Sequence, residues 1–101
     1  MTHHKIALLA DTHGLLREEV VQKIKDCEVI FHAGDFGGPE IMERLQQIAP
    51  VYMARGNNDK EWAKDMPYFV REQIGNRTFY MCHKKQDLPD ELGKVDFVIC
   101  G

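Results

Sequence analysis

The sequence predicts an α/β domain built on parallel strands, and three observations carry that prediction. Short apolar runs alternate with helical periodicities in the order β-α-β-α-β. The connections between them are short, so successive strands run parallel and the helices serve as crossovers. Strand after strand also empties into the same kind of polar loop, rich in Asp, His, Asn and Gly.

The first strand is Ile6 to Ala10, small and β-branched, and it stops at Asp11-Thr12-His13-Gly14. Leu16, Val20, Val21 and Ile24 then recur at helical spacing among charged residues, which predicts an amphipathic helix laid on the sheet. Val29-Ile30-Phe31-His32 is a second buried strand, followed by Ala33-Gly34-Asp35. Pro39 suits the first turn of a second helix, whose stripe is Ile41, Leu45 and Ile48. Val51 to Ala54 reads as the third strand, ending in Arg55-Gly56-Asn57-Asn58-Asp59. Lys60 to Pro67 is a polar loop carrying the single tryptophan, Trp62. The pattern then changes to a hairpin, Tyr68–Ile74 and Arg77–Cys82 around Gly75-Asn76, which ends at His83. After a charged stretch with Pro89, Val95 to Cys100 is a last apolar strand.

At 101 residues the chain is one domain at most, and 44% hydrophobic with 29% charged residues is a globular composition. No apolar run is long enough to span a bilayer and the first residues do not form a signal peptide, so the expected compartment is the cytoplasm. A net charge of −3 and a pI near 5.9 speak against broad nucleic-acid binding. They leave small anionic substrates open, because bound cations invert the local potential. Cys27, Cys82 and Cys100 lack C-x-x-C spacing and read as small core residues of a reducing compartment. His3 and His4 read as part of a disordered end, and Lys84 and Lys85 as solvated charges.

The chemistry gathers at the strand ends. Asp11, His13, Asp35, Asn57 and His83 all carry metal-ligand atoms. In a parallel sheet the carboxyl ends of strands share one edge, where ligands bind. His13 to Asp35 and Asp35 to Asn57 are each 22 positions, one helix plus one strand. Singly, each residue has an ordinary alternative: a helix cap for Asp11, a solvated loop for His13, turns for Gly34-Asp35 and Gly56-Asn57-Asn58-Asp59. Their coincidence at successive strand ends favours a shared site. His32 precedes its loop and is expected to pack or hydrogen-bond behind it.

These motifs, Asp11-Thr12-His13-Gly14, Gly34-Asp35, Gly56-Asn57-Asn58-Asp59 and the later His83, occur in the order of a known family. The chain resembles the calcineurin-like metallophosphoesterases, in particular their small prokaryotic phosphodiesterase branch. The resemblance implies a four-layer α/β/β/α sandwich and hydrolysis of phosphodiester or phosphomonoester bonds at a dinuclear metal site. It implies that Asp11 and His13 hold one ion, that Asp35 bridges two, and that Asn57 and His83 hold the second. The two divalent ions would be manganese first, with nickel, iron, cobalt or zinc as alternatives, about 3.5–4 Å apart with a bridging hydroxide as nucleophile. Asn58 and Asp59 are the remaining catalytic candidates. Asn58 stands where many relatives have a histidine that protonates the leaving group; an amide can hydrogen-bond there but not usefully transfer a proton. Asp59 is expected to orient Asn58 or its loop.

In that family a G-H-x-H follows the last strand, and its histidines complete both metal sites; here the sequence reads Gly101. The expectation is a single domain over 1–101, C-terminally incomplete and truncated before the last strands of the sandwich, with weakened metal binding. The expected partner is a small phosphoester, with no membrane and no strong nucleic-acid signal; an open strand edge leaves room for a homo-oligomer. Competing readings are a non-catalytic scaffold of the same fold, as in a trafficking subunit, and an inactive fragment. A haloacid-dehalogenase-type phosphatase fits less well, because the second acidic residue it needs after Asp11 is here His13.

Overall fold

The structure, a computed structural model, describes residues 5–89 and 93–101. The reading of His3 and His4 lies outside the described residues. Three parallel strands, β1 (Ile6–Leu9), β2 (Val29–His32) and β3 (Val51–Met53), form the first sheet in that order. Ile6 pairs with Val29 and Ile30 with Val51, so β2 is central and buried along its whole length. Residues on one face of this sheet, Ala7 and Ile30, pack on α1 (Glu18–Ile24) and α2 (Pro39–Gln46) through Ile24, Ile41 and Leu45. Pro39 starts α2, as its preset φ and missing N–H favour.

Residues on the other face, Val29 and Phe31, meet a second sheet of β4 (Phe69–Ile74), β5 (Arg77–Cys82) and β6 (Phe97–Cys100). β4 and β5 are the expected antiparallel hairpin, turning at Gly75 with φ 62°, and β6 runs parallel to β5. Phe31 fills the space between the sheets, stacked on Tyr52 at 5.3 Å and on Phe79 at 5.2 Å. Burying a ring of that size contributes about 2–3 kcal/mol.

The α/β/β order supplies three layers of the expected sandwich; among the described residues no α-helix follows β3. Four local expectations are corrected. α1 begins at Glu18 rather than near Leu16, because Arg17 is extended (ψ 145°) and Leu15 N–H closes a turn on Thr12 O; Leu16 is buried from the loop. β6 begins at Phe97 rather than Val95, since the Asp96 carboxylate takes Thr78 N–H and ends the ladder there. The 60–67 loop contains a 3-10 turn, Glu61–Ala63, that sets Trp62 edge-on against Phe36 at 5.6 Å. His83 follows a strand of the second sheet, so it reaches the site from across the sandwich and not from the shared edge. No described helix is long and apolar enough to cross a membrane.

Candidate metal centre

The parallel ladder does not stop where the strands do. Ala33 N–H donates to Leu9 O, Asp11 N–H to Gly34 O, His13 N–H to Asp35 O and Gly14 N–H to Phe36 O, all at 2.7–3.0 Å. The loop after β1 is therefore zipped to the loop after β2. To follow each other this way Asp11, His13 and Asp35 adopt left-handed backbone, with φ of 54°, 48° and 60°. Asp and His are among the residues that tolerate it, and such strain, of order 1 kcal/mol or more each, clusters at functional sites.

Glycines let the third loop close in. A Cβ on Gly34 would lie 2.7 Å from Gly56 Cα, and one on Gly56 would lie 2.2 Å from Asp35 Oδ1. Asp59, almost fully buried, fastens the contact: its Oδ2 accepts Asp35 N–H and Gly56 N–H, each at 2.8 Å, and its Oδ1 accepts Phe36 N–H at 2.9 Å. Its carboxylate is thus engaged by backbone donors of two loops, and Arg55 Nε holds its carbonyl. Arg55 also lies over the Tyr68 ring.

Oxygen and nitrogen atoms converge on the pocket this builds. Asp11, Asp35 and His83 each offer a ligand atom within 4.8 Å of the others. His83 Nε2 is 3.2 Å from Asp35 Oδ2 and 4.0 Å from Asp11 Oδ1; His13 Nε2 is 3.7 Å from Asp11 Oδ1 and 4.0 Å from Asp35 Oδ2. His83 Nδ1 lies 2.7 Å from Ala33 O, so Nδ1–H donates there and the other ring nitrogen, Nε2, faces the carboxylates. Burial raises the Asp35 pKa, but two hydrogen bonds from Asn58 (N–H at 2.9 Å, Nδ2 at 3.0 Å) and the nearby His83 and His13 outweigh it, and the net shift is downward. Asp35 therefore stays a carboxylate.

Of the residues singled out in the sequence, Asp11, His13, Asp35 and His83 come together, and Asn58 joins them through Asp35. Asn57 is exposed, with its carbonyl 3.4 Å from Lys60 Nζ. Asp59 lies behind the donors as a tie between loops. Lys84 and Lys85 are exposed. His32 takes the supporting position expected of it: Nδ1 accepts Gly34 N–H at 3.1 Å, and Nε2 lies 3.0 Å from Thr12 Oγ1, which donates to Phe36 O. Burial pushes its pKa down to about 4, and the ring stacks on Phe36 at 3.7 Å. Thr12 and the Ala33 carbonyl were not singled out; Thr12 at the middle of D-T-H was the available signal, whereas a backbone carbonyl leaves none. A groove of about 530 Å³ lies elsewhere, beside Met53, Trp62 and Phe69, and holds none of the converging donors.

The model of the calcineurin-like phosphoesterase superfamily domain matches residues 5–101. A protein described as a "Probable metallophosphoesterase" from Methanothermobacter thermautotrophicus is 34% identical over 67 residues, which cover 61% of this chain and 39% of that protein. An archaeal phosphodiesterase of known structure is similar with a TM-score of 0.67 and 26% identity, over 78% of this chain and 58% of its own. Vps29 from Entamoeba histolytica, solved as a zinc complex, gives a TM-score of 0.68 at 18% identity, over 83% and 50%. The chain spans about half the length of these relatives. From strand order to loop chemistry to family match, the chain belongs to the calcineurin-like phosphoesterase superfamily.

Proposed function

We propose that the chain carries the metal centre of a metal-dependent phosphoesterase that hydrolyses phosphodiester, or phosphomonoester, bonds at a dinuclear site. The observation that supports this most is the convergence of two carboxylate oxygens and a ring nitrogen of His83 within 4.8 Å. Carboxylate oxygens gathered this closely repel each other, and a cation held between them relieves the repulsion. The donor set fits a divalent transition ion: hard carboxylates with borderline imidazoles suit manganese, and equally zinc, iron, cobalt or nickel.

Asp11 and His13 would hold one ion, Asp35 both, and His83 with the Asn57 amide the other. Two ions bound there would make a nucleophile from water near neutral pH and draw charge from the phosphoryl oxygens. Asp35, kept ionised by Asn58 and the histidines, supplies charge at any physiological pH. Ala33 O holds the His83 ring in the ligating tautomer. Asn58 is positioned by its bonds to Asp35 to donate a hydrogen bond to substrate but not a proton. The substrate would be a small phosphoester, and a cytoplasmic setting suits three cysteines with no disulfide between them.

The test is metal binding followed by turnover. Titrating the chain with Mn and Zn is expected to show saturable binding that Asp35→Asn weakens at least about tenfold, with circular dichroism unchanged. A generic aryl phosphodiester should then be hydrolysed only with metal present. Absence of binding would sink the proposal. Tight binding without hydrolysis would favour the second reading, a scaffold, which the likeness to Vps29 supports at the level of fold.

A further inference from the structure

Cys82 and Cys100 are register partners on adjacent parallel strands β5 and β6. Register partners in a parallel pair point to the same side of the sheet, and neighbouring strands lie about 4.8 Å apart. That spacing falls within the roughly 4.4–6.8 Å Cα separation that a disulfide spans. The inner face of this sheet is set by Phe79, Met81 and Ile99, so both cysteines belong to the outer one. Their environments differ. Cys100 is exposed, while Cys82 is buried with its thiol donating to Lys84 O at 3.1 Å. The pair also lies at the end of the strands next to the metal centre: His83 follows Cys82, Gly101 follows Cys100, and Gly101 N–H donates to His83 O at 2.9 Å.

We infer that Cys82 and Cys100 form an oxidisable dithiol, with Cys100 the attacking and Cys82 the resolving sulfur, and that hydroperoxides are the class of oxidant that closes it. The exposed Cys100 thiolate attacks the O–O bond; an S–O bond forms, O–O breaks and one oxygen leaves as hydroxide, which takes a proton to become water. The Cys82 sulfur then attacks the Cys100 sulfenic sulfur; S–S forms, S–O breaks, and the second oxygen leaves with the Cys82 proton as water. Two thiols are oxidised and one hydrogen peroxide is reduced to two waters, or one organic hydroperoxide, whose leaving oxygen is an alkoxide, to an alcohol and water. The third cysteine, Cys27, is buried among the helices in the other core and takes no part. A bridge here joins β6 to β5 beside the His83 backbone. A cross-strand bond of this kind, exposed at one sulfur, belongs with the reducible rather than the permanent disulfides.

The experiment treats the metal-free chain with hydrogen peroxide and follows intact mass and peptide maps. The expected product is a monomer lighter by two hydrogens, linked Cys82 to Cys100 and restored by dithiothreitol. Cys27→Ser should give the same product and Cys100→Ser none. Cys100 is exposed, so that variant tests the inference without emptying the core. Closure in denaturant should be at least about tenfold slower than in the native chain, because the folded register supplies the proximity. Three outcomes would each overturn the inference: Cys100 driven to sulfinic acid with Cys82 still alkylatable, a link to Cys27 or between chains, or equal rates in denaturant.

Discussion

At the scale of single residues, Asp59 is the side chain whose role the structure makes most specific. Its position beside Asn58 suggested that it orients Asn58 or its loop; its buried carboxylate holds the N–H groups of Asp35, Phe36 and Gly56. Asp59→Asn keeps the shape but turns one oxygen into a donor that faces another donor. Seated to keep the two bonds at Oδ2, the amide presents its NH2 to Phe36 N–H. One charge-assisted bond is lost and one buried donor is left without an acceptor, for a loss of about 2–4 kcal/mol. Denaturant unfolding of the chelator-treated variant checks the number; a change below about 0.5 kcal/mol would refute it. Asp59 also shows what a sequence cannot display. Asn57, Asn58 and Asp59 are three consecutive polar residues, and which of them turns inward depends on donors supplied by a loop 24 positions away. Asp35 was easier to recognise because its loop follows a strand buried on both faces, so its placement needed only the strand.

At the scale of elements, the site depends on loops pressed together more closely than side chains allow. The succession of strands along the chain and the two helices were legible because apolar periodicity reports burial directly, and Ile30, Ile41 and Leu45 are all core. Boundaries were less so: Leu16 is buried in a loop, and periodicity cannot separate that from the first turn of a helix. Nor could it place His83, because nothing local to β5 says which sheet it joins. The contact between the first two loops is the sharpest test of this scale. Gly37 has φ +93°, and a Cβ there would lie 1.8 Å from Gly14 N, a backbone atom that cannot swing aside. Gly37→Ala should destabilise the chain by about 3 kcal/mol or more and lower metal affinity at least about tenfold, because Asp11 and Asp35 can no longer keep their register. Gly93→Ala separates the two causes. It shares the left-handed backbone (φ +72°) but has its nearest contact at 3.7 Å, so strain alone should cost about 1 kcal/mol and leave metal binding intact. Equal losses in the two variants would mean that backbone strain, not loop contact, is what matters.

At the scale of the whole molecule, one buried base ties stability to pH. His32 has no exposed surface, accepts Gly34 N–H and is held neutral, its pKa lowered by burial from 6.5 to about 4. Above pH 6.5 the ring is neutral folded and unfolded, and its contribution is complete. Between 6.5 and about 4 the unfolded chain binds a proton that the folded chain refuses, so stability falls as pH falls, by about 1.4 kcal/mol per unit. Below about 4 both states are protonated and the loss levels off near 3 kcal/mol. The lowered pKa of Asp35 acts in a separate and more acidic window, below its ordinary value of 3.8. Going from pH 7.5 to 5 should therefore remove about 2 kcal/mol through His32 alone. His32→Asn, whose amide oxygen can still accept Gly34 N–H, should be less stable at pH 7.5 but lose about 2 kcal/mol less on acidification. Urea midpoints of both proteins, taken in chelator at the two pH values, make the comparison. Parallel losses would show that the acid sensitivity resides in other groups. A convergence of the two curves would mean that a ring behind the candidate metal centre sets the acid limit of the fold that carries it.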